Sequence, residues 1–334
     1  MARILVTGGA GYIGSHTCKA LAQAGYEPVT FDNLSTGFRD LVRWGPCVEG
    51  DIRDAAALRA AFKAFSPAAV IHFAGAGRIA VGESVTSPAI HYQINVAGSL
   101  CLLDALRDAD VGRIVFSSSA AVYGLPSQFP VPESQPLEPI NPYGRTKLAV
   151  EQVLLDYRAA YALRSVSLRY FNAAGADPEG ESGELHDPET HLIPLTLDAV
   201  LNPHRRLSLF GDDYATLDGT CIRDYIHVSD LAQAHVMALR LLDADNTPSG
   251  LNVGTGHGYS IREVLDAIER ITGRAVPHGI APRRVGDPPE LVSDSTLLRK
   301  LTGWNPEHSD IDTIISTAWA WHQGHRRPRQ RRAG

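Results

Sequence analysis

Near the N-terminus, residues 2–7 (ARILVT) form a short apolar run that leads directly into Gly8, Gly9, Gly11 and Gly14 of GGAGYIG. Beyond it Ile13, Cys18, Leu21 and Ala22 fall at helical spacing. A strand, a glycine turn and a helix in that order constrain the fold more than any other feature, because a dinucleotide fingerprint requires this context. Glycines let the backbone turn tightly and approach a pyrophosphate, and the free N–H groups and positive dipole end of the helix meet its charge. A second apolar run, residues 28–31, ends at Asp32, eighteen residues beyond Gly14. A carboxylate there accepts a ribose 2′-hydroxyl and repels a 2′-phosphate, which points to NAD rather than NADP.

Strands and helices go on alternating. Residues 69–73, 113–116 and 165–170 read as strands, and residues 88–107 and 143–162 carry helical apolar spacing. This rhythm predicts a doubly wound α/β fold, a parallel sheet with helices on both faces. Ligands of such sheets sit beyond the carboxyl ends of the strands. The glycine loop, Asp32, Asp51, Ala74-Gly75, Ser119 and Phe171-Asn172 all follow strand candidates, so they are expected to converge on one cleft. From residue 176 the texture changes to Pro, Gly, Asp and Glu, a loop composition. A short strand (206–210) and helices (230–242 and 261–271) then suggest a smaller mixed α/β lobe. The expected division is 1–175 for the nucleotide domain, catalytic residues included, and 176–325 for a lobe whose chain crosses back to the first domain. A basic tail, 326–334, is expected to be disordered.

Tyr143 and Lys147 of YGRTK are four residues apart. That is about one helical turn, so the side chains share a face with Cβ atoms roughly 5–6 Å apart. An ammonium beside a phenol favours the phenolate and lowers its pKa. The pair is therefore expected to act as a base near neutral pH, with the Ser119 hydroxyl, twenty-four residues earlier, relaying the proton. Arg223 (in CIRDYIHV) and Arg284 (in APRRVGD) suit a phosphate-rich substrate, since guanidinium groups grip phosphates bidentately. His186, Asp187, Glu189 and His191 are possible metal ligands, but their spacing matches no common pattern; a polar loop is the expected reading and no metal is expected.

The 334 residues are 44% apolar and 20% charged, ordinary for a globular enzyme of one large or two closely joined domains. A net charge of −6 argues against nucleic acid as the main partner. The four cysteines (Cys18, Cys47, Cys101, Cys221) show neither disulfide nor zinc spacing. No apolar stretch approaches about 18 residues, and the first seven lack a signal pattern, so a cytoplasmic setting without membrane contact is expected.

Taken together, TGGAGYIGSH, FDNLSTG, GDI at residues 50–52, FSSSAAVYG, YGRTK, LRYFNAAGA and DGTCIRDYIHVSDLA resemble the extended short-chain dehydrogenase/reductase family, and within it the UDP-sugar 4-epimerases. The resemblance spans residues 3–321, and the set in this order is far more specific than any one motif. It implies an NAD-dependent isomerase that interconverts UDP-glucose and UDP-galactose through a transient 4-keto sugar, with NAD held tightly. It further implies that Tyr143 is the base at the sugar 4-hydroxyl, that Lys147 holds the nicotinamide ribose and that Ser119 hydrogen-bonds the reacting oxygen. Gly8, Gly11, Tyr12, Ile13, Gly14, Asp32, Asn33, Asp51, Ile52, Phe73, Ala74, Gly75, Asn95 and Phe171 would line the NAD site with Tyr143 and Lys147. Asn172, Leu192, Arg223, Arg284, Asp287 and Leu291 would contact the UDP-sugar with Ser119 and Tyr143. Relatives pair as homodimers through the Tyr/Lys helix and its neighbour near residues 95–106.

Three departures from the family pattern stand out. The family's FAGLKAVGES run appears as FAGAGRIAVGES, two residues longer and with Arg78 in place of a lysine. His191 replaces an asparagine before Leu192, and Leu291 stands where some members carry a tyrosine that narrows the sugar pocket. The smaller leucine suggests that N-acetylhexosamine nucleotides also enter. UDP-xylose/UDP-arabinose 4-epimerisation needs the same catalytic groups and is the nearest alternative. A 4,6-dehydratase typically needs Thr-Asp-Glu at the serine run, whereas this chain has Ser118-Ser119-Ala120. A non-catalytic NAD-binding regulator on this fold tends to lose the Tyr/Lys pair, which is intact here.

Overall fold

The computed structural model describes residues 1–76, 80–202, 204–244, 246–284 and 287–325. Arg78 and the 326–334 tail, both singled out above, lie outside the described residues. Six strands, β1 (Arg3–Thr7), β2 (Glu27–Asp32), β3 (Cys47–Glu49), β4 (Ala69–His72), β5 (Arg113–Ser117) and β6 (Arg164–Tyr170), join a seventh, Gly250–Val253, in one sheet. The spatial order is Gly250–Val253, β6, β5, β4, β1, β2, β3, and every pairing is parallel. The order reverses beside β1, so a crevice opens between the carboxyl ends of β1 and β4.

Period-two alternation along the strands builds two cores. Ile4 and Val6 of β1, with Ala69 and Ile71 of β4, pack on one face against Leu21 and against Leu231 and Leu239 of the Val228–Leu241 helix. Leu5, Val70, Ile114 and Phe116 point to the other face, toward Leu58, Phe62, Leu102, Leu106, Val150 and Leu154. Residues buried on both faces explain why these strands read as continuous apolar runs.

Beyond β6 the chain builds a third core from the helices Leu192–Leu201, Ile261–Thr272 and Ile311–Gly324. It leaves this lobe twice, first sending Val228–Leu241 against the Tyr12–Gln23 helix and Gly250–Val253 to the sheet edge, and later the helix Thr296–Thr302, whose Leu298 joins the first core. The expected long helix over 88–107 is a composite: Pro88–His91, a π-helical stretch Tyr92–Gly98, and Ser99–Asp108. Apolar periodicity does not register the wider turn, which often marks a functional site.

The Pro142–Tyr161 helix crosses the end of β5, and a buried polar chain fastens it there. Arg169 Nη2 donates to Glu151 Oε2 at 2.6 Å and Arg169 Nη1 donates to Tyr123 Oη at 3.1 Å. Tyr123 Oη donates to Asn252 Oδ1 at 2.7 Å, and the Ser118 hydroxyl donates to Glu151 Oε1 at 2.5 Å. Both charged side chains are 7% exposed, so neither can fall back on water. Arg169→Met should destabilise the fold by about 3–5 kcal/mol, because it strands Glu151 as an unpaired buried charge. Glu151→Leu combined with Arg169→Met should recover most of that loss in urea unfolding. A single substitution costing less than about 1 kcal/mol would show that the pair is not a structural clasp.

Candidate active site

The glycine loop is shaped by contacts that leave no room for side chains. Gly8 has φ +73°, and a Cβ there would lie 2.7 Å from Ala74 N. A Cβ on Gly14 would meet Gly8 O at 2.2 Å. The following helix starts at Gly11, which supplies no side-chain cap, so its first N–H groups are open to an anion. At the end of β2, Asp32 Oδ2 accepts from Ala10 N at 3.0 Å and Oδ1 from Leu34 N at 2.8 Å. Burial nonetheless raises its pKa above the ordinary value.

Asn33 Nδ2 donates to Asp51 Oδ2 at 2.9 Å, and Arg53 grips the same carboxylate at 2.7 Å and holds its pKa down. Asn95, on the π-helical stretch, accepts from Ala76 N at 2.6 Å through Oδ1 and donates to Thr146 Oγ1 at 2.9 Å. Asp32, Asn33, Asp51 and Ala76, with Ile52, Phe73, Ala74 and Gly75, border one cleft of about 1830 Å³, whereas Asn95, predicted to line it, is buried behind the wall and reaches it only through its bond to Ala76 N. Bare backbone, uncapped helix N–H groups and a buried acid fit a dinucleotide.

Tyr143, Lys147, Ser119 and Phe171 line the same cleft. Asn141 caps the helix by accepting from Gly144 N at 2.8 Å, and Pro142 occupies the first turn, which sets Tyr143 at the helix mouth. Lys147 Nζ donates to Ser117 O at 2.9 Å and lies 5.7 Å from the centre of the Tyr143 ring. Ser119 Oγ accepts from Ala121 N at 3.1 Å and lies near enough to the Tyr143 phenol to favour its ionised form.

The electrostatics correct one expectation. Burial pushes the Tyr143 phenol well above its ordinary pKa, Tyr170 adds to the rise, and only the Ser119 hydroxyl opposes it. Lys147 does not pull the phenol down. Its own charge is desolvated, and burial lowers its pKa to about 8 against the opposing pull of Glu151. The sequence argument allowed for the charge and omitted the burial.

On the substrate side, Asn172, Leu192, Arg223, Arg284, Asp287 and Leu291 all reach the cleft. Arg223 Nη2 donates to Asp287 Oδ1 at 2.5 Å, and the Arg284 guanidinium stacks 4.1 Å from the Phe210 ring centre. Leu291 packs against the small core that holds Val122, Tyr123 and Phe171. His186, Glu189 and His191 do come together, joined by Glu184 rather than Asp187. Glu151 also escaped the sequence reading, although the spacing 143, 147, 151 puts it on the same helix face. Phe210 carried no motif signal, and Tyr170, although part of LRYFNAAGA, was given no role.

The model of the NAD dependent epimerase/dehydratase family matches residues 4–254. A UDP-glucose 4-epimerase of Rhizobium leguminosarum bv. trifolii is 53% identical over 319 residues, 96% of this chain and 97% of that protein. A UDP-glucose 4-epimerase from Brucella ovis, solved in complex with NAD, superposes with a TM-score of 0.93 at 53% identity, covering 96% of this chain and 98% of its own. Another from Stenotrophomonas maltophila, with bound NAD and formylated UDP-arabinopyranose, gives 0.91 at 41% identity, covering 97% and 98%.

Lys147 carries a testable pH signature. With a folded pKa of about 8 against an ordinary 10.5, the unfolded chain keeps a proton that the fold has released between those values. Stability therefore rises with pH across that window and bears the full cost of the buried charge below it. Lys147→Met should stabilise the NAD-free protein at pH 7, by at most about 3 kcal/mol, and the advantage should shrink as pH rises from 8 toward 10.5. A gain in urea unfolding that is absent, or equal at both ends, would contradict the assignment.

Proposed function

The chain belongs to the NAD dependent epimerase/dehydratase family, and from that premise we infer that it inverts C4 of a UDP-sugar, interconverting UDP-glucose and UDP-galactose through a 4-keto sugar. One observation carries the reading: Tyr143, Lys147 and Ser119 line the same cleft as the glycine loop and Asp32. NAD, when bound, takes up the hydrogen and electron pair from C4 and gives them back, so the reaction has no net redox change.

The remaining work falls to the protein. Tyr143 takes the proton from the 4-hydroxyl and returns it to the same oxygen once the face of the sugar is reversed. Ser119 holds that oxygen and offsets part of the burial that keeps Tyr143 protonated. Lys147, anchored on Ser117 O, holds the nicotinamide ribose. The glycine loop with Tyr12 and Ile13 takes the pyrophosphate, Asp32 and Asn33 the adenosine ribose, and Asp51 and Ile52 the adenine. Phe73, Ala74, Gly75 and Phe171 form the remaining wall, and Asn95 holds that wall in place through Ala76 N. Asn172, Leu192, Arg223, Arg284 and Asp287 grip the uridine diphosphate, so the sugar can turn over while its handle stays fixed.

Residues 1–175 provide the cofactor half and 176–325 mainly the substrate half. A cytoplasmic setting suits four unpaired cysteines. Homodimer pairing through the Tyr/Lys helix and its neighbour is supported by exposed Tyr92, Leu100 and Leu155 on those elements.

A broader substrate range has a specific support. Leu291 at the pocket edge is smaller than the tyrosine of some relatives, which leaves space for an N-acetyl group. UDP-N-acetylglucosamine should turn over, and Leu291→Tyr should remove that activity while sparing UDP-glucose; no turnover by the unaltered protein would sink this extension. The principal test is conversion of UDP-galactose without added NAD, together with release of about one nicotinamide dinucleotide per chain on denaturation. Tyr143→Phe should retain the NAD and lose about 10²–10⁴-fold in kcat. Protein that holds no NAD, or consumes stoichiometric NADH, would refute the assignment.

A further inference from the structure

The 184–191 loop gathers four side chains whose donor atoms all lie within 4.8 Å of one another: Glu184, His186, Glu189 and His191. Glu184 is the hub. Its Oε1 lies 3.0 Å from His186 Nδ1 and is bound by His191 Nδ1. His186 Nδ1 is also 3.7 Å from Glu189 Oε1, yet this buried nitrogen makes no hydrogen bond. Metal–nitrogen and metal–oxygen bonds of about 2.0–2.2 Å put neighbouring donors roughly 3–3.5 Å apart. The His186–Glu184 and His186–Glu189 contacts bracket that spacing, and the closer His191–Glu184 pair has to part for both to bind one ion.

The donors are also held in place. Glu189 Oε1 accepts from Thr190 N at 2.7 Å and His191 N at 2.9 Å, and Trp321 Nε1 fixes the Glu184 carbonyl at 3.1 Å. Outer contacts of this kind orient ligands around a metal. The facing ionisable group on the glycine-loop helix is Tyr12, whose hydroxyl donates to Gly175 O and whose ring meets His186 edge-on. One divalent cation with two neutral imidazoles and two carboxylates sums to zero charge, so the donor set matches such an ion without further compensation. The second acidic group among the described residues, Asp177, Glu179 and Glu181, already has its cation. Lys19 Nζ sits among them at 2.9, 2.6 and 2.7 Å.

We propose that Glu184, His186, Glu189 and His191 form a site for one divalent transition-metal ion of the zinc class, which fastens the 184–191 loop on the wall of the substrate cleft. Two imidazoles with two carboxylates suit such an ion, whereas magnesium and calcium prefer all-oxygen shells. His191 is the residue from which the Leu192–Leu201 helix starts, so the ion would set the position of that helix mouth.

The test uses purified protein stripped of metal by a chelator and dialysed. Co²⁺ should bind with one equivalent per chain and produce visible d–d absorption, and Zn²⁺ should displace it. Calorimetry should likewise show one equivalent of Zn²⁺ bound per chain. His186→Ala should weaken binding at least tenfold, and the milder Glu189→Gln should weaken it without loss of the fold, read by thermal unfolding. Glu179→Gln, in the lysine-filled cluster, should leave it unchanged. No Co²⁺ or Zn²⁺ binding, or equal affinity in the His186→Ala and unaltered proteins, would overturn the site.

Discussion

The Glu151–Arg169 ion pair joins three pieces of chain at the end of the sheet where the reacting groups meet. Arg169 belongs to β6, Glu151 to the helix that carries Tyr143 and Lys147, and Ser118, bonded to Glu151, precedes Ser119. Tyr123 and Asn252 extend the same chain to the edge strand. In water such a pair contributes little; at 7% exposure each charge depends on its partner. What it secures is geometry, because a helix slipping by a fraction of a turn would carry Tyr143 away from Ser119. The carboxylate also opposes the drop in the Lys147 pKa.

That geometry is set against strong local costs. A buried phenol resists ionisation and a buried ammonium resists charge, so the cofactor-free pocket holds Tyr143 protonated and Lys147 with a pKa of about 8. A positive charge brought beside the phenol by an occupant of the cleft would lower that pKa. This agrees with an enzyme that keeps its cofactor through the cycle, where the same tyrosine must both release and recover a proton.

Much of this was legible in the sequence. The glycine run, Asp32 and the strand rhythm give the sheet and its crevice, because turn sterics and alternation are local properties. Tyr143 and Lys147 follow from one helical spacing. The π-helical turn that aims Asn95 was not legible, since apolar periodicity ignores a single widened turn. Glu184 was invisible because its partners are assembled by a loop rather than by a repeat. The Tyr143 pKa was misjudged for a related reason: spacing reveals a neighbouring charge but says nothing of how little water reaches it. The lobe boundary is blurred in space as well, since Gly250–Val253 completes the first sheet.

The central claim is that one hydrogen at C4 leaves and returns within a single molecule of sugar while only a proton passes through Tyr143. UDP-galactose carrying deuterium at C4, mixed with unlabelled UDP-galactose of distinguishable mass, measures this directly. The account predicts UDP-glucose that keeps its deuterium at C4, with no label in water and none in the unlabelled pool. Loss of label to solvent, or its crossing between molecules, would contradict it.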